Sequence, residues 1–235
     1  MAGETVKSEA ICLSVSPWSR TSHVVSWLTP SGTVSTSVKG AVRPKSAFLG
    51  QYDLNYTCEL VYYARARGEL HALRECCAVD RRDTLRTDYR SLAAAGYLRL
   101  LAGRLAPQGP ECGQWYSALV AALDVLAERR ADPAARRRAA LSAIVSFELE
   151  TLHLMGLSPE IEADSGAFAM RGERQMPVSR EVADYLRAAC ARQRRAGLAD
   201  GTVPLDALRA VGVYYNFHVG CAPEARRSVL RLVQT

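Results

Sequence analysis

The stretch from Leu141 to Pro159, LSAIVSFELETLHLMGLSP, reads as a helix that other elements must surround. At about 100° per residue, Leu141, Ile144, Val145, Leu152 and Met155 share one face, and Ala143, Phe147 and Leu154 widen the apolar arc. Ser142, Ser146, Glu150 and His153 are left as a polar stripe. A helix apolar over more than half its circumference is covered on several sides, so this one is central. Asp132 is suited to the N-cap and Pro133 to the first helical position, where its missing N–H costs nothing. Gly156 suits the left-handed residue at the C-terminus, and Pro159 forbids continuation. Glu148 interrupts the apolar stripe between Ile144 and Leu152. A carboxylate there is costly unless paired, so it is expected to be a structural buried acid met by an arginine, with Arg99 and Arg104 as candidates. No second titratable group lies nearby to complete an acid/base pair.

Outward from this helix the 3.6-residue period extends in both directions. Upstream, Asp88–Ala106 ends at Pro107, and Glu111–Arg130 presents Trp115, Leu119, Ala122, Leu123 and Leu126 on an inner face. Downstream, residues 160–177 lack periodicity and read as an irregular connection. Helices are expected at Ser179–Arg195, Pro204–Val219 and Pro223–Val233, with Tyr214, Tyr215, Phe217 and His218 crowded on the second of them, most of them as core.

Before Asp80 the period is two. Short β-branched and aromatic runs at Thr5–Val15, Ser22–Thr29, Thr33–Lys39 and Glu69–Val79 are separated by turn residues. A further run alternates most clearly, with Leu54, Tyr56, Cys58, Leu60 and Tyr62 on one face. Five short strands suit a closed barrel, since closure removes exposed edges. The expected fold class is α+β: a five-stranded OB-fold barrel over residues 1–80, then an all-α helical domain over 81–235 with an irregular insertion at about 160–177, the boundary falling near Asp80–Asp83.

The 235 residues are 49% hydrophobic and 23% charged, as in soluble globular proteins. No apolar run is long enough for a membrane span and the N-terminus lacks a signal-peptide layout, which points to a cytoplasmic protein. Seven cysteines without a C-x-x-C pair argue against a disulfide framework and a zinc ribbon. They read as small buried hydrophobes, with the adjacent Cys76 and Cys77 facing opposite ways. No His/Cys/Asp constellation supports a hydrolase, so no catalytic residue is assigned.

The net charge is +6, which favours an acidic partner such as nucleic acid. Residues 1–80 nevertheless hold 8 Lys/Arg against 7 Asp/Glu, a balance of +1. The informative loop is Lys39-Gly40-Ala41-Val42-Arg43-Pro44-Lys45-Ser46. Its three cations, Lys39, Arg43 and Lys45, with a glycine for close backbone approach and a stiffening proline, suit a clamp on DNA phosphates, and Arg20 is a fourth contributor. Trp18, Trp27 and Tyr52 are aromatics for which core packing competes with base stacking. Arg136, Arg137 and Arg138 occupy the first turns of the central helix, where the dipole disfavours cations. They are either a solvated basic end or a site for an acidic peptide or phosphate.

Four motifs in order resemble the bacterial recombination mediator RecO family. Trp18-Ser19-Arg20-Thr21-Ser22-His23-Val24-Val25 with Leu28-Thr29-Pro30-Ser31-Gly32 resembles its opening strand pair, and Lys39-Gly40-Ala41 with Arg43-Pro44-Lys45-Ser46 its basic loop. Phe147-Glu148-Leu149 leading to Leu154-Met155-Gly156-Leu157-Ser158-Pro159 is similar to its central helix and turn, and Arg226-Arg227-Ser228-Val229-Leu230 to its C-terminal signature. The resemblance implies an OB barrel and helical domain without enzymatic activity, binding of single- and double-stranded DNA, and strand annealing. It also implies partnership with RecR and single-stranded-DNA-binding protein in loading RecA. Many members carry a four-cysteine zinc module after the Gly-Leu-x-Pro turn. Here Ala163-Asp164-Ser165-Gly166 stands there, so neither metal nor another cofactor is expected. Many members also place arginines directly before the Phe-Glu pair, where this chain has Val145-Ser146. The partnership nonetheless makes Arg136, Arg137 and Arg138 the candidates for the acidic, apolar C-terminal tail of single-stranded-DNA-binding protein. The competing expectation is a protein-interaction scaffold that keeps the fold without strong DNA binding.

Overall fold

A computed structural model describes residues 4–65, 70–161, 167–169, 175–190 and 205–234. Five strands follow one another: β1 (Glu4–Ser19), β2 (Ser22–Thr29), β3 (Gly32–Val38), β4 (Thr57–Ala64) and β5 (Leu70–Asp80). They close into a barrel in the order β1-β2-β3-β5-β4, with β1 returning to β4. Among the described residues the single parallel pairing is β3 with β5, where Ser35, Thr36 and Ser37 face Leu70, His71 and Ala72. This is the expected OB-fold barrel followed by helices.

Closure falls on β1. Residues Glu4 to Ile11 pair with β4, and Ile11 to Ser19 pair with β2. The register shifts between Cys12 and Ser14, a bulge that bends one strand into two ladders. Leu13, the residue skipped, gives its carbonyl to the Arg99 guanidinium. Inside the barrel Ala10, Cys12, Val25, Trp27, Val38, Cys58, Leu60 and Leu73 form the core. The indole N–H of Trp27 is satisfied by donation to Thr36 Oγ1 at 2.8 Å.

The alternation read from Leu54 begins later than its pattern. Asn55 takes a left-handed conformation, φ +69°, so Leu54 stands outside the strand, 37% exposed, and β4 starts at Thr57. Cys76 and Cys77 point to opposite faces, but Cys77 and Cys190 are exposed, which corrects the reading of all seven free thiols as buried. Residue 77 falls on the outward side of a strand whose alternation Cys76 already assigns to the interior side.

Beyond a 3₁₀ turn (Asp83–Thr87) come α1 (Tyr89–Leu105), α2 (Cys112–Ala127), α3 (Pro133–Leu154), α4 (Arg180–Cys190), α5 (Leu205–His218) and α6 (Pro223–Gln234). The compact units interleave along the chain rather than meeting at one boundary. One comprises Met1–Asp83 with Arg99–Asp124; the other comprises Thr84–Leu98 with Val125–Thr235. In the first, the buried Arg82 side chain donates to Asn55 O (3.0 Å) and Thr57 Oγ1 (2.8 Å) and pairs with Asp124 at 2.8 Å, tying the start of β4 to α2. The segment from residue 160 to 177, read as irregular, instead carries a small antiparallel sheet. Its strands are β6 (Glu160–Ile161), β7 (Ala167–Ala169) and β8 (Gln175–Pro177). Strands of two or three residues are too short to display a period of two.

The central helix α3 packs against α4, α5 and α6 in the second unit. Asp132 caps it by accepting from the N–H groups of Ala134 and Ala135, at 2.9 and 3.1 Å. At its other end Gly156 (φ +70°) donates to His153 O and Leu157 to Leu152 O, the paired bonds of a Schellman motif. Ser142, assigned to the polar stripe, is buried; Ser146 and His153 are exposed.

Glu148 is fully buried on α3, and its partner is Arg226 of α6, not Arg99 or Arg104. Arg226 donates through Nε and Nη2 to the two carboxylate oxygens at 2.6 and 2.9 Å. The same Nη2 donates to Leu208 O at 2.7 Å, and Tyr97 donates its hydroxyl to Glu148 at 2.7 Å. Burial, then the adjacent Glu148 charge, pushes the Tyr97 phenol well up, which keeps it a neutral donor. For Arg226, burial pulls the guanidinium down, but Glu148 outweighs it and the net shift is upward. Removing one member strands the other in a dry site. Glu148→Ala is therefore expected to lower unfolding free energy by about 3–5 kcal/mol in a denaturant titration. The double variant Glu148→Leu/Arg226→Met is expected to lose less than the two single changes combined.

Candidate nucleic-acid interface

The connection from β3 to β4 has no helix. It runs through successive turns closed by Arg43 N to Gly40 O (3.1 Å), Ser46 N to Arg43 O (2.9 Å) and Leu49 N to Ser46 O (3.2 Å). Hydrophobic residues anchor it: Ala41 is buried in the barrel core, and Phe48 and Tyr52 pack against that core. Tyr52 meets Trp27 edge-on at 5.9 Å and shares a 2.8 Å hydrogen bond with His23 Nδ1. Two polar ties join the loop to the β1–β2 turn, Gly40 N to Ser22 Oγ (3.3 Å) and Val42 N to Thr21 O (3.5 Å). With Ala41 turned inward, Lys39 and Arg43 are left exposed.

Gly40 permits this arrangement. Its φ is +67°, and a β-carbon built there lies 3.3 Å from Arg43 Cδ. Glycine thus allows both the turn and the passage of the arginine stem close to the backbone.

The loop borders a groove of about 610 Å³ lined by Trp18, Ser19, Ser22, Ser37, Lys39, Gly40, Arg43, Arg65 and Leu70. Three lining residues are cations and, among the described residues, no carboxylate lines it. The barrel's small net charge is therefore a poor guide to the local field, which depends on where the charges stand. Of the expected DNA contacts, Lys39 and Arg43 line the groove, whereas the exposed Lys45 and Arg20 do not. Arg65 was missed. It follows β4 in sequence, and it reaches the groove because β5 begins beside β3, a pairing that no local pattern announces.

The aromatics divide cleanly. Trp27 is fully buried and Tyr52 is half-buried, whereas Trp18 is 70% exposed at the groove. Burial pushes the Tyr52 phenol up to about 12, consistent with a neutral packing role.

In the second unit, Arg136 and Arg137 are half-buried and Arg138 is exposed in the first turns of α3. The Asp132 carboxylate, 3.6 Å from Arg138 Nη2, offsets part of the unfavourable dipole interaction. The stretch 163–166, compared above with a zinc module, lies outside the described residues. Among the described residues no group of three His, Cys, Asp or Glu is placed to hold a metal, and no helix is long and apolar enough to cross a membrane.

Barrel and groove together define a protein of the OB-fold class, with three of its cations gathered in one groove. The family model for the N-terminal part of recombination protein O matches residues 1–82, and the model for its C-terminal part matches residues 86–234. The chain belongs to the recombination protein O (RecO) family. It is 27% identical over 161 residues to a protein named DNA repair protein RecO from Roseiflexus sp. (strain RS-1), a match covering 68% of this chain. The match spans about half of that relative's length, 53%.

Gly40→Ala tests the loop geometry. It is expected to cost about 1–2 kcal/mol for the left-handed backbone. Gly50→Ala, at φ +72° with nothing within 4 Å, reports backbone strain alone. In matched denaturation curves, an excess loss at Gly40 measures the displaced Arg43.

Proposed function

We propose that this protein is a DNA-binding recombination mediator in DNA repair, without catalytic activity of its own. In this reading it anneals complementary strands and, with RecR, helps load RecA onto DNA coated with single-stranded-DNA-binding protein. The observation that carries the proposal is the concentration of Lys39, Arg43 and Arg65 in one groove of an OB barrel. The relative's name, DNA repair protein RecO, supports the same role.

Within the basic loop, Lys39, Arg43 and Lys45 neutralise backbone phosphates, with Arg20 as an outlying contributor. Each cation that replaces a condensed counterion adds to the salt dependence. Lys39→Ala or Arg43→Ala is expected to reduce the log-affinity against log-salt slope by about 0.7 on single strands and about 0.9 on duplex. The loss is the same for every base sequence, because phosphate contacts carry no sequence information. If Lys39→Ala, Arg43→Ala and Lys45→Ala all keep the wild-type slope and affinity, the loop is a solvated turn. In that case the DNA surface lies among the arginines of the helical domain, whereas weak binding by the wild type itself makes an interaction scaffold the better reading.

Arg136, Arg137 and Arg138 are assigned to the acidic tail of single-stranded-DNA-binding protein. Charge complementarity and the partnership implied by the family support this assignment. Titrating a tail peptide against the triple alanine variant is expected to show a loss of at least about 10-fold, roughly 1.4 kcal/mol. Unchanged affinity overturns it.

A further inference from the structure

We infer that the barrel groove is a single-strand site in which Trp18 stacks on an unpaired base while Lys39, Arg43 and Arg65 hold the flanking phosphates. The inference rests on the reading of the barrel as a DNA-binding surface and adds a strand preference to it.

Trp18 is 70% exposed, whereas Trp27 and Trp115 are 0% and 2% exposed. A large indole left in water on the rim of a cationic cleft has one flat apolar face to offer, and its neighbours in the cleft supply positive charge. That combination is what an unpaired nucleotide requires: a π-surface for the base and cations for its phosphates. The bases of a duplex are already stacked on one another and present only their edges. Lys39, Arg43 and Arg65 attract phosphates of either form, so the indole separates single strands from duplex. The polar groups beside it are the small hydroxyls of Ser19, Ser22 and Ser37 rather than long amides. Bidentate reading of adenine uses Asn or Gln, neither of which lines the groove, and in this arrangement Arg43 and Arg65 are engaged by phosphates. Stacking here is therefore tolerant of base identity.

Trp18 is also a convenient probe, because the other two indoles are shielded from solvent. Tryptophan emission and its quenching by acrylamide are measured on the full-length protein with added oligothymidylate and with a random duplex of equal length. Affinities are measured in parallel for wild type, Trp18→Ala and Trp18→Phe, with melting curves to verify folding. Oligothymidylate is expected to quench the emission and protect it from acrylamide, while duplex does neither. Trp18→Ala is expected to weaken single-strand binding by about 5- to 150-fold, the range of one lost stacking contact, and to leave duplex affinity within about twofold. Trp18→Phe is expected to restore part of the loss. Equal weakening of both nucleic acids by Trp18→Ala, or tight oligothymidylate binding with unchanged emission and quenching, overturns the stacking role and leaves the phosphate clamp standing. If wild type binds neither nucleic acid, the DNA reading fails and the stacking role fails with it.

Discussion

Closure of the barrel rests on one strand serving two partners. β1 pairs with β4 along its first half and with β2 along its second, and the bulge at Leu13 allows the change of direction. A bulge frees backbone groups from the ladder, and an unsatisfied carbonyl in a buried setting is expensive. Arg99 meets that need by donating to Leu13 O. The bulge is thus met by a residue almost ninety positions downstream, which belongs to the same compact unit as the strands. A strand able to close the sheet also carries its far end outward, placing Trp18 at the edge of the cationic groove.

The groove shows how a nearly neutral barrel acquires a directed field. The sign and number of charges matter less than their placement: Ala41 is buried, Gly40 and Val42 are tied to the β1–β2 turn, and the residues on either side are turned outward. The apolar anchor thus positions the cations. In the other unit the relation is reversed, because a charge is the buried element and the helices supply its partners. Glu148 on α3 collects Tyr97 from α1 and Arg226 from α6, so that three segments far apart in sequence share one fully satisfied site.

Much of this was legible in the residues. The change of period near Asp80, the Asp132 and Gly156 helix signals, and the demand of Glu148 for an arginine all follow from local chemistry. The identity of that arginine did not. Arg99 and Arg104 lie closer in sequence, but Arg99 is occupied by the Leu13 carbonyl, and Arg226 becomes a neighbour only when α6 folds onto α3. The same limit hid Arg65, whose place depends on the parallel pairing of β3 with β5. Leu54 was misread because an alternating pattern does not reveal a left-handed Asn55, and the short strands β6 to β8 lack the length for any pattern. Basic residues were easy to find from sequence, whereas their convergence, with Lys39 and Arg43 in the groove and Lys45 and Arg20 outside its lining, belongs to the fold.

The central claim is that nucleic acid occupies the barrel groove. Backbone hydrogen exchange of the full-length protein, followed by mass spectrometry with and without a single-stranded oligonucleotide, addresses it without altering a side chain. Slowed exchange is expected in segments covering residues 18–22, 37–43 and 61–65, with the first of these including the Ser22 turn tied to Gly40. Protection confined to the helical segments beyond residue 125, with those three segments unchanged, would contradict it.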